Sequence, residues 1–120
     1  MSDLSKGIRT LQDLVELANS TTMKDVTAAA AAVLRWQELE DDPTPLVAAL
    51  QAQLVAKHRE PIMNRKTRRF ASAEALARLA TLGANQVDLR SLLTHSDSAV
   101  REGAILALAR RPKSVPSALR

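Results

Sequence analysis

One stretch, VDLRSLLTHSDSAVREGAILAL at residues 87–108, decides the fold. It begins with a short apolar segment, and a polar turn at residues 94–97 leads into a longer segment with apolar and small residues at helical spacing. Asp97 is suited to cap the second segment, because its carboxylate can accept hydrogen bonds from the free N–H groups of a first helical turn. The stretch therefore predicts a hairpin of two α-helices.

The same stretch resembles a HEAT-type helical repeat. The family pattern has an apolar first helix, a short turn containing Asp, then Val-Arg followed by small and apolar residues, and the matching positions here are Val100, Arg101, Ala104, Ala107 and Leu108. Small residues at these positions would let a paired helix lie close. The resemblance implies that Arg101 lies near the turn and ties neighbouring repeats together.

A second, partial copy is predicted upstream, pairing residues 46–58 with residues 68–82. Arg69 aligns with Arg101, but Arg68 stands where the pattern has Val100. Because a single repeat cannot bury its own core and solenoids need about three units, we expect the first two helices to form a third hairpin or an N-terminal cap. The departure at Arg68 lies in the most basic segment, which makes it the first place to look for function.

The composition favours helix throughout the 120 residues. Apolar residues make up 46% of the chain and are mostly Ala, Leu and Val, with one Phe, one Trp, no Tyr and only three Gly. We predict an all-α fold of about six helices in antiparallel hairpins, a short HEAT-like solenoid. A compact, non-repeating helical bundle is the alternative. Residues 1–111 are expected to form a single domain, and residues 112–120 a flexible basic tail.

Apolar periodicity, capping residues and breakers set the predicted helix bounds. Thr22 and Thr44 are expected to cap the second and third helices, and Gly83 to end the fourth in a left-handed conformation. Trp36 is expected to plug the core between helices, with an interface anchor as the alternative. The six predicted helices start at residue 2 or 3, 23, 46, 63 or 64, 86 and 98, and end near residues 18, 40, 58, 82, 93 and 111.

Other features bear on cellular location. The chain has no cysteine, which excludes disulfides and thiolate chemistry and agrees with a reducing compartment. Its start lacks the basic and apolar regions of a secretory signal, and its longest run of low polarity, residues 28–34, is far shorter than the roughly 20 residues of a membrane span. We expect a soluble, cytoplasmic protein without a membrane partner.

Charge is distributed unevenly. Residues 1–56 contain four basic and eight acidic residues, whereas residues 57–120 contain thirteen basic and five acidic ones. This asymmetry predicts an anionic partner, or self-association into a homo-oligomer through faces of unlike charge.

The sharpest local feature is residues 57–69, where six residues are Lys or Arg and one is Glu. These cations could contact phosphates or an acidic protein, and the HEAT resemblance permits either, since that family contains both protein scaffolds and DNA-backbone binders. No Tyr and no additional Phe interleaves the charges for base stacking, which weighs against nucleic acid. A solvated charge run is the alternative to a site. The candidate partner-binding residues are Lys57, Arg59, Arg65, Lys66, Arg68 and Arg69.

Catalytic and metal sites are not expected. His58 and His95 lack the spacing of a metal pair, no serine lies in a Gly-x-Ser-x-Gly elbow, and there is no glycine-rich phosphate loop. The acidic residues between positions 38 and 42 are expected to form a solvated loop. We therefore expect neither an enzyme nor a cofactor or metal. The leading hypothesis is a non-enzymatic protein-interaction module or adaptor that presents a charged helical face, and the alternative is a nucleic-acid-binding accessory protein that uses residues 57–69.

Overall fold

The computed structural model describes residues 10–39 and 42–110, and the regular secondary structure there is α-helical. The predicted helix start at residue 2 or 3 and the predicted tail at residues 112–120 lie outside the described residues. Within them, none of the helices has the length and apolar character to cross a membrane. The all-α prediction is confirmed. The described helices are α1 (Leu11–Ala18), α2 (Met23–Leu34), α3 (Thr44–Val55), α4 (Ile62–Thr81), α5 (Leu89–Leu93) and α6 (Ser98–Ala109).

Consecutive helices contact each other in three pairs, α1–α2, α3–α4 and α5–α6, which we refer to as the first, second and third hairpins, and α4 contacts the largest number of other helices. Helix α1 contacts α2 and α3, while α4 contacts α2, α3, α5 and α6. The radius of gyration is 13.9 Å. A compact domain of 100 residues typically has a radius of gyration of about 13 Å. The result is a compact globule with a core of mostly Ala, Leu and Val.

Helices α4 and α6 cross in close backbone contact at Gly103. A Cβ atom at Gly103 would overlap the carbonyl oxygen of Phe70 and lie 3.2 Å from the backbone nitrogen of Glu74. Glycine at this position therefore lets the two helix backbones approach each other more closely than any other residue would allow.

The first described helix does not extend back through Thr10. Thr10 has an extended backbone, and its hydroxyl accepts a hydrogen bond from the backbone N–H of Asp13, whose carboxylate in turn accepts one from the backbone N–H of Thr10. This reciprocal capping box starts α1 at Leu11, so the prediction of one continuous helix through position 10 is wrong.

The second helix ends at Leu34 rather than near residue 40. The backbone N–H groups of Arg35 and Trp36 bond three residues back, to Ala32 and Val33. The guanidinium of Arg78 in α4 donates to the carbonyl of Trp36, which holds this turn against the core. Trp36 is half-buried and packs on the core, as predicted.

The third helix starts and ends before its predicted bounds. Pro43 is its N-cap, and Thr44, the expected cap, is instead its first residue and donates its hydroxyl to Asp42 (2.6 Å). The helix ends at Val55, and Ala56 has an extended backbone.

The remaining helix ends follow local capping chemistry. Gly83 has φ +106°, and hydrogen bonds from the N–H groups of Gly83 and Ala84 to α4 form the predicted left-handed C-cap. Asp97 caps α6, as predicted. Asp88 caps α5, which was predicted to start at residue 86 and begins at Leu89.

Candidate interaction surface

The basic segment spans the link between α3 and α4 and the first two turns of α4. Pro61 is the N-cap of α4 and supplies no side-chain hydrogen bond, and the first turn contains no acidic residue. The N-terminus of this long helix therefore keeps its positive partial charge. Two residues of the link form hydrogen bonds with α4. Ala56 accepts one from Arg69 (3.4 Å), and Glu60 accepts one from Arg68 (2.9 Å).

Arg68 lies in the interior, with 1% of its surface exposed. Its guanidinium donates to both carboxylate oxygens of Glu60, to the side-chain oxygen of Gln53 (3.0 Å) and to the carbonyl of Thr21 (2.7 Å). Arg68 was predicted to contact a partner, but in the folded chain its donors are used internally. It therefore does not belong to the exposed surface.

Gln53 extends this network to the first hairpin. Its side-chain amide donates to the carbonyl of Ala18 (2.8 Å) and to that of Ser20 (3.2 Å). These carbonyls lie at the end of α1 and in the turn after it, so the network satisfies backbone groups that the end of a helix leaves free. The hydrogen bonds from Arg68 hold the pKa of Glu60 below its usual range, against the opposing effect of burial.

Arg69 faces the other neighbour, the third hairpin. Its guanidinium donates to the carboxylate of Asp97 at 2.6 Å, and its side chain is 18% exposed. Burial acts to raise the pKa of Asp97, but the hydrogen bonds from Arg69 and from the backbone N–H of Ala99 outweigh it, so the pKa lies below its ordinary value. Arg101, the residue implied by the resemblance to tie repeats together, instead donates to the carbonyl of His95 within its own hairpin (2.5 Å).

The other four candidate cations remain at the corner formed by the link and the start of α4. Lys57, Arg59 and Lys66 are exposed. Arg65 is half-buried, and its buried Nε has no hydrogen-bond partner among the described residues. The acidic residue of the segment, Glu60, is bound to Arg68. The corner is therefore strongly cationic.

Three large apolar side chains share this corner, and sequence reasoning missed them. Val55 is 66% exposed at the end of α3, and Ile62 and Met63 are 65% and 68% exposed in the first turn of α4. Helical periodicity could not have found Met63, since it lies seven residues before Phe70 and therefore on the face that the pattern predicts to be buried. We call Val55, Lys57, Arg59, Ile62, Met63 and Lys66 the α3–α4 corner.

A small cleft lies between α3 and α5, with Leu76 of α4 among its lining residues. Its volume is about 170 Å³, below the 300–1,000 Å³ typical of small-molecule sites. His95 accepts a hydrogen bond at Nδ1 from the backbone N–H of Asp97. The hydroxyl and backbone N–H of Ser91 hold the pKa of Asp88 below its ordinary value. The lining residues are Gln51, Leu54, Leu76, Val87, Asp88, Ser91, Leu92 and His95.

The described residues contain no group of three His, Cys, Asp or Glu side chains suited to hold a metal ion. No model of a protein family matches the sequence. Comparison with curated proteins finds no match, and comparison with solved structures finds none either.

Proposed function

We propose that this chain is a non-enzymatic interaction protein that presents the α3–α4 corner to an anionic macromolecular partner, which is a protein. The observation that carries the proposal is the exposure of Lys57, Arg59 and Lys66 around a carboxylate, Glu60, that is already bound to Arg68. Their charge is therefore available to a partner, and complementary charge would speed and orient the encounter.

We further propose that the three hairpins are a short HEAT-like stack. The main helix contacts run from the first hairpin to the second and from the second to the third, as expected when each repeat packs on its neighbours. The ion pair between Arg69 and Asp97 supports this reading, because Arg69 occupies the position aligned with Arg101 and reaches the capping residue of the next hairpin.

A charge-reversal experiment tests the proposed surface. The probe is fluorescently labelled poly-L-glutamate, and its anisotropy is measured with the full chain at about 50 mM salt. The triple variant Lys57→Glu/Arg59→Glu/Lys66→Glu is compared with the matched control Lys24→Glu/Arg35→Glu/Arg90→Glu, which reverses three exposed cations elsewhere. We expect the dissociation constant for poly-L-glutamate to rise at least tenfold more in the corner variant than in the control. Equal losses in the two variants would refute it.

Nucleic acid remains the second candidate, because the same exposed cations could neutralise phosphates. That reading predicts affinity for mixed-sequence duplex DNA that falls steeply between about 50 and 200 mM salt. DNA affinity equal in the wild type and the corner variant would refute it.

A further inference from the structure

We infer that the partner segment is an acidic amphipathic helix whose apolar side chains cover Val55, Ile62 and Met63. This inference rests on the proposed function and narrows it. It concerns the chemistry of the partner at the α3–α4 corner, where large apolar side chains and unpaired cations occur together.

The apolar and cationic side chains lie on one surface because hydrogen bonds hold the link between α3 and α4 against α4. Hydrogen bonds join Ala56 to Arg69 and Glu60 to Arg68, so the end of α3 and the link run beside the first two turns of α4. Within α4, Lys66 lies one turn after Ile62 and Met63 and therefore on the same side.

The exposure of these three side chains is unusual within this molecule. Among the described residues, Ile105 on α6 is the other large apolar side chain that is mostly exposed, at 55%, and it stands in a different hairpin. The three side chains stand at the two helix ends that flank the link, and exposed apolar clusters rimmed by polar groups mark interaction sites.

The combination of groups favours a protein over nucleic acid. A phosphate backbone would bind the cations but offers nothing apolar to cover Val55, Ile62 and Met63, and the corner has no aromatic ring for base stacking. An acidic amphipathic helix supplies both components, because its carboxylates meet Lys57, Arg59 and Lys66 while its apolar stripe meets the aliphatic side chains.

A pair of synthetic peptides separates the contribution of charge from that of apolar contact. Both contain only Glu and Leu in the same numbers, with Leu at helical i, i+3, i+4, i+7 spacing in the first and distributed around the helix in the second. Binding is measured by fluorescence anisotropy with the full chain, alongside mixed-sequence duplex DNA and vesicles rich in phosphatidylserine. The variant is Ile62→Ser/Met63→Ser, and the matched control is Ile105→Ser, an exposed isoleucine away from the corner.

The inference expects the amphipathic peptide to bind about tenfold more tightly than its isomer, and the double variant to remove that difference while Ile105→Ser retains it. Equal binding of the two peptides, sensitive only to reversal of Lys57, Arg59 and Lys66, would overturn the inference and leave the proposed function standing. Tighter binding of DNA or of the vesicles than of either peptide would overturn it by identifying another class of partner. Absence of binding to every polyanion would refute the proposed function itself.

Discussion

Arg68 and Arg69 are consecutive residues of α4 whose guanidinium groups bind opposite neighbours. Arg68 reaches the first hairpin through the carbonyl of Thr21, while Arg69 reaches the third through the carboxylate of Asp97. Successive residues of an α-helix point about 100° apart, so this pair lets the middle hairpin hold both outer hairpins from one position.

Loss of Arg68 is expected to destabilise the fold severely. Substitution by Met removes the donor to the Glu60 carboxylate, which is only 9% exposed, and to the side-chain oxygen of Gln53, and breaking a buried pair in this way costs about 3–5 kcal/mol. Urea unfolding measures the change. Lys66→Met, at an exposed neighbouring position, is the control and should change the free energy of unfolding by less than about 0.5 kcal/mol. Equal effects of the two substitutions would contradict the buried network.

Glu60 should make stability depend on pH. Its pKa in the folded chain lies below the ordinary value of 4.5, chiefly because Arg68 donates hydrogen bonds to it. Its contribution is therefore fully present above that value and is lost as pH falls through the lower, folded-state pKa. We expect Glu60→Gln to be less stable than the wild type at pH 7, with the difference shrinking below pH 4.5. A difference that is constant from pH 7 to pH 3 would contradict this.

Glu74 should make stability depend on pH in the opposite direction to Glu60. Burial between α4 and α6 raises its pKa above 4.5, and Arg110 only partly offsets this effect. The stability that it contributes is thus greatest below its ordinary pKa and declines as pH rises through the raised one. Thermal unfolding should show Glu74→Gln to be more stable than the wild type at pH 7, but not at pH 4. The exposed Glu102→Gln is the control, and a destabilised Glu74→Gln at pH 7 would refute the assignment.

Substitution of Gly103 by alanine should lower the free energy of unfolding, although helix propensity alone would favour alanine by about 1 kcal/mol. A Cβ would overlap the carbonyl oxygen of Phe70, so α4 and α6 would have to separate, at a cost of about 1–3 kcal/mol. Chemical denaturation measures the effect, with Glu102→Ala on the exposed side of α6 as the control. A stabilised Gly103→Ala would show that the crossing is looser than described.

The helical class and the strongest caps could be predicted from sequence because they depend on local chemistry. Asp97 and Gly83 act on backbone groups within a few residues, and their residue types alone specify the conformation. The end of α2 could not be predicted in this way. There Arg78 donates to the carbonyl of Trp36 from 42 residues away, a contact that exists only once the helices have packed.

The site was only partly predictable for the same reason. The sequence marks six cations between residues 57 and 69, but it does not distinguish Arg68, which the fold buries, from Lys66, which the fold exposes. The burial of Arg68 could have been predicted from its alignment with Val100, since an apolar residue is expected at that position and both residues are buried. The residue that departs from the predicted repeat pattern is therefore a buried one whose donors bind within the fold. The apolar part of the corner emerged only from the exposures of Val55, Ile62 and Met63.

The most direct test of the account is to map where an acidic partner binds. Two-dimensional ¹H–¹⁵N NMR spectra of the full chain are recorded while the amphipathic Glu/Leu peptide is added. The account predicts that the largest shift changes fall on backbone amides of residues 54–67, with α1 and α2 little affected. Largest changes in the first hairpin, or changes spread evenly over all three hairpins, would contradict the assignment of the α3–α4 corner as the interaction surface.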